Sequence, residues 1–379
     1  MAGPLSGLRV LELARILAGP WVGQTLADLG AEVIKVESPD GDDTRGWGPP
    51  FVEREDERSA AYFHGCNRGK SSVIADLTNK HDLARVAALA AEADVAVENF
   101  KLGGLQRFGL DYATLSTRNP GLIYCSITGF GQTGPRAAEP GYDLLIQAMS
   151  GIMDVTGAAD GPPTKMGVAF ADIFSGLYAV IAIQAALAER ARSGRGQHID
   201  ISLFDCMLGV LANQAQNFFA TGVSPKRKGN AHPNLMPYEV FPAKDGHLVI
   251  AVGNDGQFAR LAGVLGIDAL AEDDRFATNA ARVTHRDGLF PLLAEQTGGW
   301  ARGNLIAALT KANVPAGPIN SIEDALNDPQ TVARGMVVAP EGDTGLRTPI
   351  AFSRSTLHLD NGVPSHGATP LTEADWSPR

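Results

Sequence analysis

Asp172 stands immediately ahead of the apolar run Ile173-Phe174-Ser175-Gly176-Leu177-Tyr178-Ala179. An acid in that place reads first as a helix N-cap, accepting the free N–H groups of the first turn. The same place suits a reactive carboxylate, because free N–H groups and the positive end of a helix dipole keep it ionised in an apolar pocket. The two readings are compatible. Tyr142 and Asp143 follow Pro140-Gly141. A phenol there can hydrogen-bond a reacting carbonyl and the acid can orient a neighbour; the plainer alternative is a helix start with Asp143 as its cap. Arg68 and Lys70 fall in one loop and Arg107 in another, each between strand-like runs. A parallel sheet gathers such loops at the carboxyl edge of its strands, where they can hold an anion; singly, each reads as a solvated surface charge. Asn99 and Phe100 offer an amide and a ring at another strand end, or simply a core phenylalanine. His232 reads as an exposed loop histidine, polar as substrate-contacting loop residues often are.

The elements that must position these residues alternate early in the chain. Leu8 to Leu13 is a compact apolar strand, a helical stretch from about Trp21 to Leu29 ends at Gly30, and Ala31 to Glu37 returns as a strand. Thr78 is the expected N-cap of a helix leading to the strand Asp94 to Asn99, and Leu122 to Thr128 is a further strand. Single helices between strands imply right-handed βαβ units and a mostly parallel, Rossmann-like α/β sheet. From Tyr142 to about Gly222 the pattern is helical, broken by the strand Gln197 to Leu203. Residues 1–222 are thus expected to form the main part of a large Rossmann-like domain. Residues 223–325 are expected to form a smaller α+β domain, opening on a hairpin with Asp245-Gly246 at its turn and continuing in helices near 255–265, 284–296 and 300–312. Residues 326–379, with strand-like Gly335 to Pro340 and Thr348 to Ser353, are expected to return to the large domain.

Composition narrows the function. Of the 379 residues 44% are apolar and 20% charged, as in soluble globular proteins, and the net charge is −10 without an acidic tail. Nucleic-acid binding needs a basic face and is not expected. Cys66, Cys125 and Cys206 form no CxxC pair, which predicts neither a disulfide framework nor a metal site and suits a reducing cytoplasm. Arg9, Glu12 and Arg15 interrupt the N-terminal apolar residues, so no signal peptide is expected. Ile173 to Ala188 is short for a membrane span and is expected as a buried helix, with no membrane partner.

Gly129, Gly131 and Gly134 form GxGxxG directly after a strand, which invites a dinucleotide-binding reading. Pro135 follows at once, with Pro140 and Gly141 close behind, so no helix is expected to open on the third glycine and face a pyrophosphate. A glycine-rich turn is the better account.

Several ordered phrases carry a resemblance. They include GLRVLELARILAGPWVGQTLADLGAEVIKVE, NRGKSSVIADL, DVAVENFKLGGLQRFGL, GFGQTGPRAAEPGYDLLIQAMSG, GPPTKMGVAFADIFSGLYA, GRGQHIDISLFD and VPAGPINSIEDALNDPQ. Together they cover most of the chain and resemble the class III (CaiB/BaiF) coenzyme A transferases. The resemblance implies that Asp172 is the nucleophilic aspartate and that Asn99, Phe100 and Arg107 contact CoA. It places Lys70, with Arg68 close by, on a basic CoA position, and Tyr142-Asp143 on a pair near the thioester. It also implies an interlocked homodimer and a CoA thioester as substrate, with no permanently bound cofactor.

Three departures bear on the substrate. Leu17 stands where formyl-CoA transferases carry glutamine, His232-Pro233-Asn234 occupies the place of their glycine-rich active-site loop, and Ser38 replaces an arginine that some members use on the nucleotide. The resemblance therefore leads away from formate and oxalate, toward a dicarboxylate acceptor with succinyl-CoA as donor. Two alternatives stand beside transfer. An α-methylacyl-CoA racemase needs paired acid/base groups and carries a Gly-His-Asp phrase, where this chain has Gly141-Tyr142-Asp143; an unperturbed tyrosine is a poor base near neutrality. A non-catalytic CoA-binding protein would bind CoA without needing the Asp172 carboxylate.

Overall fold

The computed structural model describes residues 3–54 and 57–378. Its central sheet has six strands: β1 (Arg9–Glu12), β2 (Glu32–Glu37), β3 (Ser71–Ile74), β4 (Val95–Glu98), β5 (Ile123–Thr128) and β6 (His198–Ser202). They run in the order β3-β2-β1-β4-β5-β6, every neighbouring pair parallel, with Val10 beside both Val33 and Val95. This is the doubly wound Rossmann order, whose direction reverses between β1 and β4 and leaves a crevice at their carboxyl ends.

Helices cover both faces because the strands are apolar on both. On one face α1 (Ala18–Asp28), α5 (Asp143–Met149), α6 (Phe170–Ser193) and α7 (Leu203–Gly209) pack Val22, Leu26, Ile146, Ala179, Ile183 and Met207 against Val10, Val97 and Cys125. On the other, α3 (Lys80–Glu92) and α4 (Tyr112–Arg118) bury Val86, Leu89 and Leu115 against Leu11, Ala96 and Tyr124. Ala374 and Trp376 join this second layer, and the Trp376 indole N–H donates to the Leu89 carbonyl at 3.1 Å. A four-residue helix, α2 (Ala61–His64), and α8 (Ala212–Thr221) complete the elements used below.

The chain divides into two compact units. One comprises Met1–Ile152, Lys165–Ala220 and Pro329–Arg379; the other comprises Met153–Thr164 and Thr221–Asp328. The second holds an antiparallel sheet of β7 (Tyr238–Ala243), β8 (Gly246–Ala251) and β9 (Ala316–Pro318). On it pack α9 (Asp255–Leu265), α10 (Arg286–Gly298) and α11 (Arg302–Lys311).

Several local expectations need correction. The cap of α3 is Asn79, whose side chain accepts the His81 N–H, while the Thr78 hydroxyl turns back to Asp76. The hairpin turn is Lys244-Asp245, with Gly246 already paired to Ala243. Thr348 to Ser353 forms no strand, whereas Val337–Val338 pairs with Gly345–Leu346. The helix α6 runs longer than its apolar core, to Ser193, and is long and apolar enough by composition to cross a membrane. It is only partly buried: Ala171, Ser175, Gly176, Ala179, Ile183 and Ala186 face the core while Leu177, Tyr178 and Ile181 are exposed.

Candidate active site

Asp172 is the third residue of α6, not its cap. The N-cap position is Ala169, which has no side chain to offer. The missing acceptor comes from α5: Asp143 Oδ1 takes the N–H of Ala171 at 2.8 Å and that of Asp172 at 3.4 Å. Asp143 Oδ2 in turn accepts from Gln147 Nε2 at 2.7 Å. Capping from another helix leaves the Asp172 carboxylate uncommitted; among the described residues no hydrogen bond or ion pair engages it. Burial, followed by the nearby Asp143 charge, pushes the Asp172 carboxyl from 3.8 up to about 7. The expectation that the helix end keeps it fully ionised is corrected accordingly. The N–H groups of Ala171 and Asp172 are occupied by Asp143, and burial beside that charge disfavours the ionised form.

A backbone contact delivers Asp143. The turn after β5 closes on itself at Gly129 and Gly141, where a Cβ on Gly129 would lie 2.5 Å from the Gly141 Cα. Side chains at either position would force the strand end and the start of α5 apart. No helix opens on Gly134; the next one is α5. Tyr142 is the uncapped N-cap of α5 and is 69% exposed.

Tyr62 was not legible in the sequence. The phenol is pushed up to about 12, first by burial, then by the charges of Asp172, Cys66, Asp143 and Asp42. It is therefore neutral near pH 7 and lies within electrostatic range of both carboxylates. The ring rests edge-on against Trp47 at 5.5 Å. A lone tyrosine between two alanines and a phenylalanine carries no spacing signal that would have found it.

The expected cation cluster does not form. Arg68 is 3% exposed and donates from Nη2 to both oxygens of Asp28 at 2.9 and 2.7 Å, and from Nη1 to the Leu346 carbonyl. Lys70 is also buried, its ammonium bound to Glu12 Oε1 at 3.1 Å, the Pro20 carbonyl at 2.9 Å and Asn67 Oδ1 at 2.8 Å. Both charges balance acids inside the fold, since a buried carboxylate left unpaired is strongly destabilising. The expectation that these two hold CoA phosphates gives way to a structural role. Arg107, by contrast, is exposed over the Phe108 ring at 4.5 Å, and among the described residues it makes no ion pair.

Asn99 and Phe100 stand at the carboxyl end of β4, beside the crevice. The Asn99 amide is paired with the backbone of Arg15, and the Phe100 N–H donates to Glu98 Oε2 at 2.7 Å. A cleft of about 300 Å³ runs from Phe100 and Gln106 to Ser126 and His198. Its Leu105 and Tyr124 belong to the layer opposite α6, so it is not the environment of Asp172.

A family model described as CoA-transferase family III matches residues 5–369. The chain belongs to that family. It is 55% identical to the succinate–glutarate CoA-transferase of Agrobacterium fabrum, across 98% of this chain and 96% of that one. It is 42% identical to the succinyl-CoA:glutarate CoA-transferase of Mus musculus, across 88% and 76%. Among solved structures, a CaiB/BaiF family protein from Brucella suis shares 62% identity, with a TM-score of 0.89 over 97% of each chain. The protein is a class III CoA-transferase with the CaiB/BaiF fold.

In this transferase the structure brings Asp172 and Asp143 together, with Tyr62 within electrostatic range of both and Tyr142 next in sequence. His232 lies in the second unit and is half-buried rather than exposed. Its Nδ1 accepts the Asn234 N–H at 3.0 Å, its carbonyl accepts from Arg286 Nη2 at 2.6 Å, and its ring lies 5.1 Å from Tyr238. Burial, then the Arg286 charge, lowers its pKa.

Proposed function

We propose that this transferase moves CoA from succinyl-CoA to a dicarboxylic acid through the Asp172 carboxylate. The carrying observation is a half-buried carboxylate at a helix head with no protein partner among the described residues. An Asp172 oxygen attacks the acyl carbonyl and the C–S bond breaks, giving a mixed anhydride and CoA thiolate. The thiolate attacks the aspartyl carbonyl, so that Asp172 carries CoA as a thioester and the first acid leaves as its carboxylate. The acceptor carboxylate attacks that thioester, expelling thiolate and forming a second anhydride. Thiolate attack on the acceptor's acyl carbon then releases the new thioester and restores Asp172. Splitting the exchange into acyl transfers preserves the thioester's energy without redox change.

Tyr62, neutral near pH 7, and Tyr142 are suited to donate to the carbonyl oxygens where charge develops. Asn99, Phe100 and Arg107 are the CoA contacts in this reading, with Arg107 supplying the phosphate charge. His232 is assigned to the acceptor acid. CoA enters and leaves as substrate, and no permanently bound cofactor takes part. The relatives named for glutarate exchange support the dicarboxylate assignment. Exposed Leu177, Tyr178, Ile181, Phe218 and Phe219 on α6 and α8 support a homodimer that shares this apolar surface, and three free, buried cysteines suit the cytoplasm.

The test is mass spectrometry of acyl exchange between succinyl-CoA and a panel of dicarboxylic and monocarboxylic acids. Glutarate and its neighbours should give new thioesters faster than monocarboxylates. Equal or better exchange with monocarboxylates would overturn the substrate assignment.

A further inference from the structure

Gln147 is fully buried on α5, and both ends of its amide are used. Nε2 donates to Asp143 Oδ2 at 2.7 Å, one turn back on the helix, and Oε1 accepts the Met166 N–H at 2.9 Å. Only this orientation of the amide works, because reversing it would set an oxygen against the carboxylate and an NH2 against an N–H. Met166 begins the approach to α6 through residues that form neither helix nor strand. Asp143, held at its other oxygen by the N–H groups of Ala171 and Asp172, caps a helix whose own N-cap residue supplies nothing. One buried amide thus anchors both the lead-in to α6 and the acceptor at its head.

We propose that Gln147 is a positioning residue for CoA transfer, holding the Asp143 carboxylate and Met166 so that the Asp172 carboxylate is fixed at the head of α6. The proposal rests on Asp172 being the nucleophile and deepens that reading. The charged group that acts on Asp172 is the Asp143 carboxylate from α5; the Tyr62 phenol from α2 lies within electrostatic range of both acids and stays neutral near pH 7. The place where Gln147 holds Asp143 therefore contributes, beside burial, to the charge that Asp172 experiences.

Two substitutions push that charge in opposite directions. Gln147→Met keeps length and apolar packing but frees Asp143 Oδ2, leaving that carboxylate held only by the Ala171 and Asp172 N–H groups and able to swing away from Asp172, which weakens its repulsion. Gln147→Glu is isosteric and, once ionised, adds a carboxylate against Asp143. The measurement is the acid limb of kcat/KM for succinyl-CoA and glutarate, with Asp172→Asn as the control. The limb should move to lower pH in Gln147→Met and to higher pH in Gln147→Glu, with kcat reduced about 10- to 100-fold in both by misplacement of the nucleophile. An unmoved limb in both variants, or a shift of the same sign in both, would overturn the positioning role whatever happens to stability. If Gln147→Met does not fold, the isosteric Glu variant alone decides by the direction of its limb. Full activity in the Asp172→Asn control would instead remove the nucleophile assignment on which this proposal stands.

Discussion

The side chain of Asn99 grips the backbone of Arg15 from both sides, accepting its N–H at 3.0 Å and donating to its carbonyl at 2.6 Å. These residues follow β4 and β1, the adjacent strands between which the sheet reverses its winding. The grip therefore spans the crevice where such folds bind ligands. The next residue, Ile16, holds φ at +73°, an unusual conformation for a β-branched side chain, and its N–H reaches Asp42 at 3.2 Å. Asn99 and Asp42 thus keep a strained turn in place, as expected only where surrounding groups over-determine it.

Asn99→Ala should consequently act on both stability and binding. The two hydrogen bonds are exposed and water can replace them, so their loss costs no more than about 0.5–1.5 kcal/mol, and the relaxed turn should raise KM for the acyl-CoA. Urea unfolding and steady-state kinetics check the two effects. Loss of CoA affinity with unchanged stability would mean that the amide serves the ligand and not the turn.

Arg68 and Arg107 make a contrasting pair. Arg68→Ala strands Asp28 as a buried, unpaired charge and should destabilise the protein by about 3–5 kcal/mol. Arg107→Ala removes an exposed guanidinium and should change stability by no more than about 0.5 kcal/mol while raising KM for the acyl-CoA, most at low ionic strength. Denaturant midpoints and the salt dependence of KM distinguish them. A stable Arg68→Ala protein with weakened CoA binding would restore the phosphate-binding role that burial argues against.

This contrast shows what the sequence could carry. The βα alternation, the parallel sheet and the hairpin opening the second unit follow from local periodicity and turn residues, so they were legible. The fate of Arg68 and Lys70 was not, because their partners Asp28 and Glu12 lie far back along the chain and only the folded sheet brings them near. The same holds at the nucleophile. Local pattern made Asp172 look like its own helix cap, whereas the cap comes from Asp143 on another helix. Isolated Tyr62 had no pattern at all.

The raised carboxyl of Asp172 has a consequence for stability. With a folded pKa of about 7 against a usual 3.8, the native state binds more protons than the unfolded chain between those values. Stability from this group is present below about pH 4 and is lost as pH rises through 7. Asp172→Asn removes the loss, so its melting temperature should match that of the wild type near pH 4 and exceed it above pH 7. Activity runs the other way, since attack needs the ionised form: kcat/KM should rise with pH through an apparent value near 7. Thermal melts across pH check the first; a wild-type advantage at pH 8 would contradict the burial cost.

Asp172→Asn also decides the mechanism, and the cap from Asp143 makes that test clean. Asp172 makes no side-chain capping bond of its own, so neither Asn nor Ala at this position removes the acceptor at the head of α6. Both variants should fold and keep CoA affinity within about tenfold, a loss of no more than about 1.4 kcal/mol of ground-state binding. Both should lose exchange, because neither an amide nor a methyl group attacks a thioester. In the wild type, succinyl-CoA without an acceptor should leave CoA on Asp172. Borohydride should reduce that thioester to the alcohol, and hydroxylamine should cleave it to a hydroxamate at this residue, both read by peptide mass. Exchange persisting in the Asn variant, with deamidation excluded by intact mass, would assign the covalent step to another group.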